Sequence, residues 1–185
     1  MSTVNNNLEY ATLGGGCFWC TEAIYDRTEG IVSVESGYSG GHVENPTYEQ
    51  VCGKKTGHAE VVRVAFDPTK ISYAEVLDIF WATHNPTTLN RQGNDVGPQY
   101  RSVIFYHNDE QKAIAEKSLK ETDASDLWSD PIVTFVEPLK NYYKAENYHQ
   151  NYFENNGHRN SYCVYVVKPK VEKFEKKFKE KLKKN

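Results

Sequence analysis

The chain has 185 residues, 38% hydrophobic and 25% charged, with a formal net charge of −3. This length and balance predict one soluble globular domain over 1–185, and they exclude a disordered chain and a basic nucleic-acid binder. The polar start MSTVNNN carries no leader pattern and no run is long enough to span a membrane, so a cytoplasmic protein without membrane contacts is expected.

In chain order, residues 1–7 read as a flexible N-terminus and an apolar, alternating stretch over 8–13 as the first strand. Gly14, Gly15 and Gly16 follow, then Cys17, Phe18, Trp19 and Cys20, with a helix predicted over 17–27. Cys17 is thereby placed in a tight turn at a helix N-terminus, where unpaired N–H groups and the helix dipole favour a thiolate. A lone cysteine more often serves as a small buried hydrophobe, and the glycine turn and helix start shift the balance toward a nucleophile. Phe18 and Trp19 are either core side chains or the walls of a small apolar pocket.

Further strands are predicted over 31–37, 58–66, 100–106, 132–137 and 162–167, and helices over 72–83, 109–122, 145–154 and 170–183. Ser72 with Glu75, and Asn108 with Gln111, have capping-box spacing. Alternating elements with some consecutive strands predict a mixed sheet with packed helices, an α+β or α/β sandwich. Two long polar loops, 39–57 and 84–99, each precede a strand and point to a shared site at one edge of the sheet. The tail 168–185 holds nine lysines against three glutamates, a net of +6, against −9 for the rest. Val171, Phe174, Phe178 and Leu182 recur there at helical spacing, so the tail reads as a Lys-rich amphipathic helix packed on the domain with its lysine face solvated, in preference to a membrane or polyanion contact.

Glu60 shares strand parity with Val62, Val64 and Phe66 and is expected to point into the core, where burial raises a carboxyl pKa and makes a general acid. A glutamate at a frayed strand start, satisfied by water, is the competing reading. Tyr48, Tyr100 and Asp95 lie in or beside the two loops; tyrosine hydroxyls can bond a developing oxyanion or hold a water, although with 13 tyrosines any one can simply pack. The Cys17–Cys20 pair reads as a thioredoxin-like redox couple, half a zinc site, or a nucleophile with an incidental neighbour. Zinc is disfavoured because Cys52 and Cys163 are isolated. Cys52 is expected to be inert and buried, and Cys163, in an apolar strand, to be a core thiol.

The motifs GCFWC, NPTYEQVC, TGHAEVV, QGNDVGPQYRS and AENYHQNYF, in this order, resemble the peptide methionine sulfoxide reductases of the A type over residues 8–167. The resemblance implies that Cys17 attacks the sulfur of a methionine S-sulfoxide, free or in an oxidised protein. Glu60 then protonates its oxygen, Tyr48 and Tyr100 bond that oxygen, Asp95 holds a water, and Phe18 and Trp19 embrace the methyl group. Cys17 is left as a sulfenic acid, a second thiol condenses with it, and thioredoxin or another dithiol reduces the disulfide. The resemblance also implies an α+β fold, a two-layer sandwich with a mixed sheet and packed helices, ferredoxin-like and elaborated, and no metal or organic cofactor. A monomer without nucleic-acid partners is expected. The best-known members carry glycine where this chain has Cys20, and two cysteines in a glycine-rich tail. Here the resemblance points to Cys163, at the family's usual position, as the expected resolving thiol, with Cys20 as rival or relay. Two other readings stay open: a general CxxC thiol–disulfide oxidoreductase, and a non-catalytic module whose aromatic cage holds a methyl group.

Overall fold

β-Branched residues dominate AEVVRVAF, and this segment forms β3 (Ala59–Phe66), the strand on which the sheet is assembled. The computed structural model describes residues 7–157 and 159–183; the segment expected to be a flexible N-terminus lies, but for Asn7, outside the described residues. β3 pairs antiparallel with β1 (Glu9–Gly15) through Leu13↔Val62, and with β2 (Ile31–Ser39) through Tyr38↔Glu60. β6 (Ser102–Tyr106) flanks β1, also antiparallel. The order β6-β1-β3-β2, with a helix after β1 and another after β3, is the split βαβ arrangement of a ferredoxin-like core.

Two short strands elaborate that core. β7 (Phe135–Pro138) runs parallel to β6, and β8 (Tyr143–Lys144) antiparallel to β2, which makes the six-stranded sheet mixed. A separate two-stranded ribbon, β4 (Arg91–Gln92) with β5 (Asp95–Val96), stands in the second long loop.

The helices cover one face. α1 (Phe18–Asp26) packs on β2 and β3, α3 (Tyr73–Thr83) on β1 and α4 (Asp109–Asp123), and α4 on β6 and β7. Leu13, Val62, Val64 and Phe66 lie in this interlayer core. Ala59, Val61, Val103 and Phe105 point to the other face, under Leu139 and Tyr142. Ser72 and Glu75 close the expected capping box on α3. Asn108 caps α4, with the Gln111 amide oxygen accepting from His107 instead. A third box, Thr47 with Gln50, starts the short α2 (Tyr48–Cys52).

The structure corrects two predicted elements. The helix expected over 145–154 is a 3₁₀ turn, Asn147–His149, followed by the separate α5 (Tyr152–Asn156). Asn151 breaks it with a left-handed φ of 56°, and its N–H is taken by Glu22. The strand expected over 162–167 is a π-helical turn, Cys163–Val167, leading into α6 (Lys168–Lys177). Asn160 nucleates it by accepting the N–H groups of Cys163 and Val164. Cys163 and Val167, four apart, are buried while Tyr165 is exposed, so the apolar run has helical periodicity.

In the tail, Val171 and Phe174 are buried, and Phe178 and Leu182 pack against the same core. α6 ends at Lys177, and a 3₁₀ turn, Lys179–Lys181, ties the end down through Glu29 N–H to the Lys181 carbonyl and Lys181 Nζ to Glu75. Among the described residues, no helix is long and apolar enough to cross a membrane.

Leu13 is fully buried on a central strand. Leu13→Ala is expected to cost about 2–5 kcal/mol, read as a lower denaturant midpoint with an unchanged slope; a midpoint equal to that of the parent chain would contradict this packing.

Candidate active site

The chain must leave β1 and enter α1 within two residues, and glycine makes this possible. Gly16 has φ +95°, and a Cβ there would sit 2.6 Å from the Gln92 side chain. A Cβ on Gly14 would meet Val103 at 2.9 Å. Cys17 follows as the N-cap of α1, extended at φ −60°, ψ 126°. Its carbonyl accepts the Cys20 N–H at 3.1 Å. The thiol therefore stands at the end of the two central strands, β1 and β3, and not at the sheet edge that the loop positions suggested.

Glu60, at the start of β3, is 1% exposed and faces the helices with Val62, Val64 and Phe66. Its Oε1 accepts the N–H of Phe18 at 3.1 Å, which fixes the carboxyl under the first turn of α1. Burial pushes its pKa up to about 8 against the pull of the Phe18 N–H, with the charges of Asp95 and Cys20 adding to the rise.

The two long loops meet near this point: a Cβ on Gly97 would sit 3.0 Å from the Lys54 side chain, and Arg101, just past the second loop, donates Nη2 to the Gly57 carbonyl at 3.1 Å. Tyr48 opens α2, its N–H held by Glu146 Oε2 at 2.8 Å. Tyr100 ends the 3₁₀ turn Pro98–Tyr100. Both hydroxyls are held well above the usual phenol range by burial first, then by the charge of Glu60. The Asp95 carboxylate accepts the Tyr162 hydroxyl, and its charge acts on Glu60, Tyr100 and Cys20.

Phe18 and Trp19 differ in setting. Phe18 is buried against Tyr38 and His149, with ring centroids 5.7 and 5.1 Å apart. Trp19 is stacked on Tyr152 at 3.8 Å and meets the edge of Tyr162 at 5.8 Å. Its indole N–H donates to His149 Nδ1 at 3.1 Å.

The surroundings of Cys17 oppose the expected thiolate. Burial pushes its pKa up, a side-chain hydrogen bond to Cys20 and the Glu60 charge push the same way, and only the Trp19 N–H opposes them. Of the donors at the helix start, the Phe18 N–H is engaged by Glu60 and the Trp19 N–H is left for the thiol. Cys20 moves down, chiefly through the hydrogen bond from Cys17, with Lys170 and Tyr162 assisting. Cys163 is fully buried on the π turn, where the charge of Cys20 is felt. Cys52 is only half-buried and its thiol meets the Tyr48 hydroxyl, so it belongs to the site and is not a core thiol.

The structure thus gathers Cys17, Cys20, Glu60, Tyr48, Tyr100, Asp95, Phe18 and Trp19. Sequence reasoning missed Tyr162, His149 and Tyr152, which wall Trp19, and Glu146, Gln150 and Glu22, which hold that wall in place. Gln150 bonds both the N–H and the carbonyl of Ser36, each at 2.9 Å, and Glu22 joins Ser36 Oγ to the Asn151 N–H. The motif AENYHQNYF was the available signal. Among the described residues, no group of three or more His, Cys, Asp or Glu side chains is placed to hold a metal ion.

The family model for peptide methionine sulfoxide reductase matches residues 9–182. A peptide methionine sulfoxide reductase MsrA from Leptospira borgpetersenii serovar Hardjo-bovis is 59% identical over 167 residues, covering 90% of this chain and 93% of the relative. Crystalline Mxr1 from Saccharomyces cerevisiae in reduced form is 38% identical and superposes with a TM-score of 0.77, covering 84% of this chain and 90% of that one. Mxr1 in complex with Trx2 is 30% identical with a TM-score of 0.55, over 80% of this chain and 86% of that one.

A carboxyl whose folded pKa is raised binds its proton more tightly when folded, so its contribution to stability is present at low pH and lost as pH rises. For Glu60 the window runs from the unfolded carboxylate range to about 8. Across it the stability of the parent chain is expected to fall, by at most about 1.4 kcal/mol per pH unit from this group. Glu60→Gln is expected to flatten the profile and to exceed the parent in stability above pH 8, as read by denaturation at stepped pH. Parallel profiles would remove the buried proton from Glu60.

Proposed function

The chain belongs to the peptide methionine sulfoxide reductase family, and we propose from this that it reduces methionine S-sulfoxide, free or in oxidised proteins, to methionine. The observation that carries the reading is the Phe18 N–H to Glu60 bond, which seats a protonated carboxyl under the turn that presents Cys17.

In the proposed reaction the Cys17 sulfur attacks the sulfoxide sulfur while Glu60 donates its proton to the sulfoxide oxygen. Without that proton the oxygen would leave as a strongly basic anion. The S–O bond breaks, oxygen passes to Cys17, and methionine departs. The proton released by the Cys17 thiol restores Glu60. The balance is one thiol and one sulfoxide giving one sulfenic acid and one thioether. Tyr48 and Tyr100, both strongly protonated, donate to the oxygen as charge builds on it. Asp95 holds a site water, and Phe18 and Trp19 receive the methyl group.

For the resolving step we propose a relay. The Cys17 sulfenic acid condenses with Cys20, its hydrogen-bonded neighbour one turn on, and releases water. Cys163 then attacks Cys20, which frees Cys17, and a thioredoxin or other dithiol reduces the Cys20–Cys163 bond. The complex of the related Mxr1 with Trx2 supports that reductant. The proposal includes no metal or organic cofactor, a monomeric single domain over 1–185, and a cytoplasmic setting.

Cys17→Ser is expected to abolish turnover of a methyl sulfoxide with dithiothreitol. Glu60→Gln is expected to lower the reduction step by about 10²–10⁴-fold and to remove the decline in rate above pH about 8. A fully active Cys17→Ser protein would reject the proposal. After one equivalent of sulfoxide, disulfide mapping of Cys163→Ser is expected to find Cys17–Cys20. A direct Cys17–Cys163 link in the parent chain, with Cys20 reduced throughout, would rule out the relay.

A further inference from the structure

We infer that a cationic, aromatic-floored cleft beside α6 docks an acidic segment of a protein substrate that also bears an aromatic or aliphatic side chain; this rests on the proposed sulfoxide reduction. The cleft holds about 200 Å³ and is rimmed by Lys170, Lys173 and Lys177. Its floor is Trp128, Phe174 and Phe178.

The three lysines follow i, i+3, i+7 spacing and share one face of α6. Among the described residues none has a carboxylate within ion-pair reach, whereas nearby Glu175 pairs with Arg27 and Lys181 with Glu75. Three like charges on one face repel one another, and a polyanionic segment relieves that repulsion. Their span of about 10 Å along the helix suits several carboxylates on an extended peptide better than one small anion. The floor asks for an apolar group as well. Trp128 has its indole N–H engaged by the Trp81 carbonyl at 2.8 Å, so its ring serves the cleft as an apolar face. The net charge of −9 outside the tail disfavours a long polyanion such as nucleic acid, which would have to cross acidic surface.

The cleft also adjoins the reactive turn. Its wall includes His84 and Gln92, the two side chains that a Cβ on Gly15 or Gly16 would strike. Gln92 is locked there by reciprocal bonds with the Asn85 backbone, at 2.7 and 2.9 Å. α6 itself continues from the turn bearing Cys163, which follows Tyr162 on Asp95. A segment docked here is held against the structure that positions Cys17.

The test uses a blocked hexapeptide with four acidic and two phenylalanine residues, its neutral amide counterpart, and calorimetric titration of the whole chain. The acidic peptide is expected to bind at low salt and to weaken sharply at high salt. Lys173→Gln with Lys177→Gln is expected to weaken it about tenfold, the scale of two partly exposed ion pairs. The neutral peptide is expected not to bind. Methionine sulfoxide placed in the acidic peptide should lose kcat/KM in the double variant by the same factor, while free methionine sulfoxide turns over as before.

Equal binding of the neutral peptide, or a double variant that binds like the parent, would overturn the docking site. So would an equal loss on free methionine sulfoxide, or stronger displacement by an oligonucleotide. Absence of any sulfoxide turnover in the parent chain would instead overturn the proposed reaction, since peptide binding is read without oxidised methionine.

Discussion

Burying a carboxyl group at the end of two central strands is costly unless the group keeps its proton or meets a donor. Glu60 does both. The Phe18 N–H is one of the unpaired donors at the start of α1, so a single bond at 3.1 Å satisfies a helix end and a buried carboxyl together. The geometry of the region depends on that bond. It sets where α1 begins relative to β3, and hence where Cys17, one residue earlier, presents its sulfur. The glycines before it are the other side of the same constraint, because the chain reaches that point only by passing close to Gln92 and Val103.

The aromatic wall is built from the opposite end of the sequence and needs its own anchors. Tyr152 stacks on Trp19 and His149 accepts its indole proton, yet neither residue lies on a long helix. Their segment is held by side-chain clamps to β2, α1 and α2. Gln150 replaces a missing ladder partner at Ser36, Glu22 takes the Asn151 N–H, and Glu146 bridges the Tyr38 hydroxyl and the Tyr48 N–H. The left-handed Asn151 turns the chain between His149 and Tyr152 so that both reach Trp19.

These clamps mark the limit of what the sequence discloses. Strand parity placed Glu60 with Val62, Val64 and Phe66 because a central strand is two-sided and regular. Ser72 and Asn108 announced their helices because capping is local. The segment 162–167 misled because Val164, Val166 and Val167 favour a strand, while Asn160 and the helix start at Lys168–Pro169 decide otherwise. Thr47 with Gln50 carried an equally local signal for α2, overlooked inside a polar loop. Glu22 and Asn151 are 129 residues apart, and only the fold brings them together. The Cys17 thiolate was misjudged for a related reason. A helix start is visible in sequence, but the burial that outweighs it is not.

That burial gives the two neighbouring thiols different work. Around Cys17 the titratable groups hold their protons: Glu60 to about pH 8, and Tyr48, Tyr100 and Tyr162 far beyond the usual phenol range. A site so loaded suits the transfer of oxygen as a neutral hydroxyl, where every developing negative charge must meet a donor. In the proposed relay Cys20 needs the reverse, since a thiolate attacks a sulfenic acid faster than a thiol does. It accepts the Cys17 hydrogen bond and feels the charge of Lys170, which lower its pKa against burial and the Asp95 charge. The second thiol of the pair therefore sits where the Cys17 hydrogen bond and the Lys170 charge favour its anion. In the proposed cycle one buried pair then serves a step that requires protons and a step that requires their loss.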